Sequence, residues 1–170
     1  GAHTSMVPFS LLYGNKLVME TVNGDFTGPF VNSVIGEISE TLDMDKNEIL
    51  AYTEEVMDRF KNPFIKHALA DIALNSISKF KVRVLPSLLA YYNTNEKLPV
   101  NLTFSLACLI QFYKGTWNNE ALPVKDSPEI VEAFKDAWQL ETLDLVVAKV
   151  LANTEFWGED LTKIEGLEEA

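Results

Sequence analysis

The segment from Leu102 to Tyr113 reads LTFSLACLIQFY, and this stretch decides the fold class. Its apolar residues cover nearly every face of a helix, with Cys108 in the middle. A helix that is apolar almost all round belongs inside a protein, because no face of it is suited to contact water. The segment therefore predicts a helix that neighbouring elements bury on several sides.

The sequence before this segment shows the periodicity of amphipathic helices. Apolar residues recur at every fourth position between Phe26 and Leu42, which predicts a helix with one buried face. Asp45, with Glu48 three residues later, has the spacing of a capping box. This pair predicts the start of a second helix, which ends before Pro63.

Helical patterns continue at Ala68–Asn75 and Leu85–Tyr92, after Ser127, and around Val146–Leu151. The alternation at Lys81–Val84 is the main signal for a strand, but four residues between helical stretches are weak evidence. We expect a single all-α domain over residues 1–170, with roughly seven to nine helices.

The composition is that of an ordinary globular protein of 170 residues, 47% of them hydrophobic and 23% charged. A net charge of −11 argues against general binding of nucleic acid. The single cysteine cannot form an internal disulfide, and no apolar run approaches the roughly 18 residues that span a membrane. We expect a soluble cytoplasmic protein that contacts neither nucleic acid nor membrane.

Motifs that hold phosphates or metals are missing from the sequence. It contains neither G-x-G-x-x-G nor G-x-x-x-x-G-K-[ST], so no residue of this chain is predicted to bind a dinucleotide cofactor. The two histidines, His3 and His67, lie far apart without ligand spacing, and no Cys/His cluster predicts a metal site. Cys108 lies in the apolar segment, where packing in the core is a far more common role than nucleophilic catalysis.

Basic residues are concentrated between Arg59 and Arg83. This stretch holds six of the fourteen Lys and Arg side chains and one acid, Asp71, so it carries +5 in a chain of net charge −11. A local positive field of this kind can bind a small anion such as a carboxylate or a phosphate. A solvent-exposed helix face that balances acids elsewhere produces the same pattern, and composition alone favours that interpretation.

Three stretches carry a resemblance to a known family: Gly1–Pro8 (GAHTSMVP), Arg59–His67 (RFKNPFIKH) and Lys79–Ser87 (KFKVRVLPS). Together they resemble the C-terminal, mostly helical domain of the mannitol dehydrogenase family, and the similarity continues through Phe156–Leu161. The resemblance implies the fold of that domain, which is similar to the C-terminal domain of 6-phosphogluconate dehydrogenase. It also implies an upstream Rossmann domain that binds NAD, which would account for the missing glycine-rich motif.

The resemblance implies a catalytic role for His3. The signature of the family is a Lys, an Asn five residues later and a His three residues after that Asn. His3 matches the last position, and the Asn would immediately precede Gly1. In the family the Lys is thought to act as general acid or base at the reacting hydroxyl or carbonyl, while the Asn and His hold the oxygen. On this basis we expect the chain by itself to be inactive.

The resemblance also implies residues that bind the substrate. Lys79 lines up with a lysine that holds the substrate in family members. His67 follows the Asn-Pro motif and is a candidate for the same cleft, although a packing or capping role is equally consistent with its position. Asn75-Ser76 replaces an Asp-Gly pair of the polyol-oxidising members, and Asp71 stands where some of them have a substrate-binding Arg. These departures favour a substrate other than mannitol.

The resemblance thus implies an NAD-dependent oxidoreductase that transfers a hydride at a secondary alcohol or ketone of a hexuronate, interconverting tagaturonate and altronate. This chain would form the substrate side of a cleft between two domains. Mannitol, mannitol 1-phosphate and fructuronate are the alternative substrates within the family. An alternative from another functional class is a non-catalytic all-α interaction domain, in which the basic stretch binds an acidic partner.

Overall fold

The structure is a computed structural model that describes residues 1–170, and its regular elements are almost entirely helical. Eleven α-helices follow one another along the chain: α1 Ala2–Tyr13, α2 Val18–Asn23, α3 Thr27–Ser39, α4 Lys46–Phe60, α5 Leu69–Ile72, α6 Ser76–Arg83, α7 Leu85–Asn95, α8 Val100–Phe112, α9 Pro128–Ala137, α10 Leu143–Leu151 and α11 Thr154–Trp157. Two short strands, β1 Thr116–Trp117 and β2 Glu120–Ala121, form a hairpin, and a 3₁₀ turn spans Leu161–Lys163. None of the helices is both long enough and apolar enough to cross a membrane.

The predicted all-α class is confirmed by this architecture. The number of helices exceeds the expected range because α2, α5 and α11 are single turns or little more, with six, four and four residues. Elements this short carry too few residues for a helical period to show in the sequence.

Most of helix α8 lies in the core, as its apolar sequence predicts, although one face stays exposed at Phe104. Leu102, Leu109 and Phe112 are fully buried along it, and the helix packs against both α1 and α3. The hydroxyl of Ser105 donates to the carbonyl oxygen of Ser5 in α1 at 2.6 Å. Because Ser105 is inaccessible to water, this hydrogen bond satisfies a polar group that would otherwise destabilise the core.

Helix α1 is the element that the sequence analysis missed. Residues 4–10 are buried in an unbroken run, and Pro8 lies inside the helix. The segment therefore lacks the polar face that marks an amphipathic helix and contains a residue that normally ends one. Packing against α8, α3 and α5 stabilises the helix in spite of Pro8. Polar side chains inside it bond to its own backbone, as when the Ser10 hydroxyl donates to the Met6 carbonyl at 2.6 Å.

Helices α3 and α4 follow their predicted positions. The capping box of α4 is confirmed: the Asp45 carboxylate accepts from the Asn47 N–H at 2.8 Å, and Glu48 accepts from the Asp45 N–H at 3.4 Å. The apolar stripe predicted for α3 is too long at both ends: Phe26 precedes the helix and is 64% exposed, and Leu42 lies beyond its last residue. The Phe26 ring stacks on that of Tyr13 with a centroid distance of 5.6 Å.

The alternation at Lys81–Val84 does not produce a strand. These residues form the last turn of α6 and the junction with α7. Asn75 turns the chain into α6 with a left-handed φ of 53°, a conformation that Asn tolerates better than most residues. Pro86 lies in the first turn of α7, as predicted, where its missing N–H removes no helical hydrogen bond.

An aromatic stack joins the last third of the chain to α8. The ring of Phe134 lies 4.5 Å from that of Tyr113 and 5.0 Å from that of Phe156. The Tyr113 hydroxyl donates to the Asp126 carboxylate and accepts from the Ile77 N–H at 3.3 Å. These two hydrogen bonds hold the connection between α8 and α9 against the start of α6.

Replacing Phe112 by Ala should lower the free energy of unfolding by about 3–5 kcal/mol, because the change leaves a cavity in a filled core. Chemical denaturation followed by circular dichroism measures this loss. Phe64→Ala is the matched control, since the Phe64 side chain is 94% exposed and its removal should change the free energy by less than about 0.5 kcal/mol. Equal losses at the two positions would contradict the placement of α8 in the core.

Candidate active site

A cleft of about 410 Å³ opens between the first turn of α1 and the C-terminal halves of α3, α4 and α6. The loop that joins α4 to α5 forms a further side, through Ile65 and His67. Apolar residues of α3 and α4 make much of its wall, among them Ile35, Val56 and Phe60. Besides the phenol of Tyr52, four lining residues carry side chains that can act as acids, bases or anion ligands: His3, Arg59, His67 and Arg83.

His3 lies in the first turn of α1, where its ring packs on Phe60 with a centroid distance of 4.1 Å. The imidazole Nε2 is buried and has no hydrogen-bond partner. Burial, followed by the positive charges of His67, the N-terminal ammonium group and Arg59, lowers the pKa of His3 to about 4. At neutral pH the ring is therefore uncharged, and its Nε2 is a buried polar atom whose hydrogen bond is unsatisfied.

His67 is brought to His3 by backbone pairing that the sequence does not reveal. Its carbonyl accepts from the Val18 N–H at 3.0 Å, and the Leu69 N–H donates to the Lys16 carbonyl at 2.9 Å. These bonds join the segment before α2 to the segment before α5 as a short bridge. The centroids of the two imidazole rings consequently lie 6.0 Å apart. His67 is the more exposed of the two residues.

The charge in the cleft is exclusively positive. Arg59 and Arg83 line it, and no Asp or Glu side chain does. Arg59 forms a weak ion pair with Glu55, 3.8 Å long and largely exposed at both ends. Arg83 forms no ion pair. The basic stretch of the sequence thus places unneutralised positive charge next to His3, although no single arginine stood out in the sequence.

Lys79 does not join this group. Its side chain is half-buried, and Nζ donates to the carbonyl oxygen of Ile72 near the end of α5 at 2.9 Å. It is not among the residues that line the cleft. The structure therefore brings together His3 and His67 of the three predicted site residues and leaves Lys79 outside the cleft.

Residues 1–170 contain no Rossmann-type fold. The only sheet is the β1–β2 hairpin, so no parallel strand leads through a tight turn into a helix that could hold a pyrophosphate. The structure also contains no group of three or more His, Cys, Asp or Glu side chains that could hold a metal ion.

Cys108 has the structural role that its position in the sequence predicts. It is buried within α8, and burial raises the pKa of its thiol to about 12. A thiol that stays protonated at neutral pH is a poor nucleophile, so the prediction of a core residue is confirmed.

The low pKa of His3 leads to a pH dependence of stability. The pKa is 6.5 for an ordinary histidine and about 4 in the folded chain, so the unfolded chain binds more protons between these values. The free energy of unfolding should therefore fall as the pH decreases from 6.5 to 4, and His3→Gln should remove this part of the loss. Thermal unfolding of both proteins across this range measures the difference. An NMR titration of the His3 ring with an ordinary midpoint would contradict the buried, uncharged state.

Comparison with known proteins identifies the family to which the chain is similar. The family model described as the mannitol dehydrogenase C-terminal domain matches residues 1–170. The altronate oxidoreductase of Enterobacter sp. (strain 638) is 42% identical over 176 residues, covering 99% of this chain and 36% of that protein. The altronate oxidoreductase of Yersinia enterocolitica is 39% identical over 173 residues, covering 98% of this chain and 36% of that protein. The chain thus spans about a third of the length of the curated relatives it matches.

A solved structure shares the fold. Pseudomonas fluorescens mannitol 2-dehydrogenase, in a ternary complex with NAD and D-mannitol, matches with a TM-score of 0.86 and 19% identity, covering 99% of this chain and 34% of that one. At this identity the likeness shows the fold alone. The family match, in contrast, extends over every residue and confirms the resemblance found in the sequence. The chain therefore belongs to the mannitol dehydrogenase C-terminal domain family.

Proposed function

We propose that the protein containing this chain is an NAD-dependent oxidoreductase that interconverts tagaturonate and altronate. Residues 1–170 would form a single helical domain on the substrate side of its active site. Identities of 39% and 42% to altronate oxidoreductases support this substrate. The exclusively positive charge in the cleft supports it as well, because a hexuronate carries a carboxylate and mannitol does not.

One observation carries the proposal: an uncharged histidine presents a buried, unpartnered Nε2 in a cationic cleft. A buried polar atom without a partner costs free energy in the folded protein. Such an atom is therefore a candidate for contact with a ligand that supplies the missing hydrogen bond. His3 is also the position that the family signature assigns to the group that holds the reacting oxygen.

In the proposed reaction the His3 ring holds the substrate oxygen. In the neutral ring one nitrogen carries a proton, and an N–H at Nε2 would donate to the ketone oxygen and stabilise the negative charge that develops on it during reduction. The Phe60 ring covers His3, which shields the imidazole from water and restricts its orientation. His67, whose ring centroid lies 6.0 Å from that of His3, would contact another oxygen of the same substrate.

NADH would supply the hydride for reduction of the ketone, and NAD⁺ would accept it in the reverse reaction. Since residues 1–170 contain no parallel sheet of the Rossmann type, we propose that NAD is bound mainly by a Rossmann domain upstream of this chain. The Lys and Asn of the family signature would also precede Gly1, so this chain alone would lack the general acid or base. Its own contribution would be to bind the substrate and to orient the reacting oxygen.

Lys79 is proposed as a further substrate ligand. An ammonium group has three donors, and the Ile72 carbonyl takes one of them. Because Lys79 lies outside the cleft, the two remaining N–H groups would contact a part of the substrate that extends beyond the cleft to the end of α5. The hydrogen bond to Ile72 would fix the position of Nζ and so lower the entropy lost when the substrate binds.

The full-length protein should oxidise NADH with tagaturonate in preference to fructuronate and fructose. His3→Gln should lower kcat for tagaturonate by about 100- to 1,000-fold, the usual effect of removing a donor to a developing oxyanion. Absorbance of NADH measures the rates. The isolated chain is the negative control and should show no turnover.

Three outcomes would contradict this assignment. Turnover by the isolated chain would show that no upstream group is needed. A folded full-length protein that reduces fructose or fructuronate faster than tagaturonate would assign another substrate of the same family. A folded protein that is inert towards all three would favour the interaction-domain interpretation.

Lys79→Ala in the full-length protein should raise KM for tagaturonate about tenfold, because one hydrogen bond to a charged group is lost. Lys79→Gln retains donors without the charge and should cause a smaller increase. A purely structural role, in which Lys79 only bonds to the Ile72 carbonyl, predicts a lower thermal unfolding temperature and an unchanged KM. Steady-state kinetics and thermal unfolding of the same samples separate the two roles.

A further inference from the structure

We propose that Arg83, assisted by Arg59, binds the carboxylate of the substrate and thereby selects an acid over a neutral sugar. This inference rests on the proposed function, since it assigns a part of the same cleft to one group of the hexuronate. It assigns a role to two arginines that neither the family signature nor the predicted site residues include.

The position of Arg83 follows from how α6 meets α1. Arg83 is the last residue of α6 and lines the cleft. Its carbonyl oxygen lies against the start of α1, where a side-chain carbon added at Gly1 would come within 2.7 Å of it. Because His3 follows two residues later, the contact between the two helices holds Arg83 and the proposed oxygen-binding imidazole in the same cleft.

The guanidinium of Arg83 has no partner within the protein. The ion pairs of the structure are Arg59–Glu55 and Lys135–Glu132, and Arg83 takes part in neither. A planar guanidinium presents paired N–H donors that match the two oxygens of a carboxylate. Its orientation is not already committed to an internal acid, so binding a carboxylate would not require breaking an ion pair.

Arg59 reaches the same cleft from α4. Its positive charge acts on the His3 ring, and its pair with Glu55 is long and exposed, so it is easily exchanged for a ligand. A hexuronate holds its ketone and its carboxylate several carbon atoms apart. One molecule could therefore place the ketone oxygen at His3 and the carboxylate between the two arginines.

A phosphate of the cofactor would satisfy the same guanidinium chemistry. The substrate carboxylate is the better candidate, because the arginines share their cleft with His3, the proposed ligand of the reacting oxygen. The substrate carboxylate and the cofactor phosphate can be distinguished by the Michaelis constant that changes when Arg83 is replaced. Loss of the arginine should affect KM for the hexuronate in one case and KM for NADH in the other.

The test uses the full-length enzyme and the substitution Arg83→Gln. We expect kcat/KM for tagaturonate to fall about 10- to 100-fold, the range for a hydrogen bond to a charged group. The loss with fructose should be at least tenfold smaller, and KM for NADH should stay unchanged. Arg83→Lys should recover only part of the loss, because an ammonium cannot form the paired contact.

Lys81→Gln is the matched control. Lys81 belongs to the same helix and loses the same charge, but its stem lies against Gly158 and it does not line the cleft. It should lower kcat/KM for tagaturonate by less than about twofold, as expected for a screened, distant charge. If Lys81→Gln lowers kcat/KM for tagaturonate as much as Arg83→Gln does, Arg83 acts only by long-range electrostatic attraction, and the proposal is overturned.

Other outcomes also overturn it. A rise in KM for NADH alone would assign Arg83 to the cofactor, and equal losses with tagaturonate and fructose would assign it to folding or to positioning. Failure of the wild-type enzyme to reduce any hexuronate would refute the proposed function instead. In that case NMR spectra of the 170-residue chain, titrated with altronate or with its neutral alcohol altritol, decide separately whether Arg83 selects a carboxylate.

Discussion

The packing of α1 against α8 is the contact on which the site depends. Helix α8 is buried because it has no polar face, and α1 is a helix only because α8, α3 and α5 surround it. The Ser105 hydroxyl joins the two helices at Ser5, two residues after His3. The core therefore determines where the imidazole lies, and the depth at which α1 is held explains why that ring is covered and uncharged at neutral pH.

The cleft is positively charged, whereas the chain as a whole carries a net negative charge. A protein with a net charge of −11 would repel an anionic ligand over most of its surface. The cleft instead gathers Arg59 and Arg83 without a lining acid. Burial at the same time keeps His3 neutral, so a proton donor lies beside fixed positive charges instead of adding to them. This combination suits a substrate that has a carboxylate at one position and a reactive, uncharged oxygen at another.

Local signals in the sequence predicted a helix correctly where residues within one turn determine how that helix begins. The capping box at Asp45 and Glu48 depends on residues three apart, and Pro86 fits the first turn of α7 through its own fixed geometry. Local signals did not predict α1, because Pro8 normally ends a helix and an unbroken run of buried residues shows no amphipathic period. They also misled at Lys81–Val84, where a chance alternation lies in the last turn of α6. Tertiary packing outweighs local preference at both places.

By itself the sequence determined the all-α class and the family, because these depend on apolar periodicity and on contiguous motifs. His3 as the site histidine stays a prediction from the same motifs. Only the tertiary structure decided which side chains surround His3. His67 joins it through hydrogen bonds between two remote segments, and Arg83 through the contact of α6 with Gly1. Lys79, four residues before Arg83 on α6, turns instead to the Ile72 carbonyl. Such contacts arise from how whole helices pack together, and the pattern along a single helix carries no information about them.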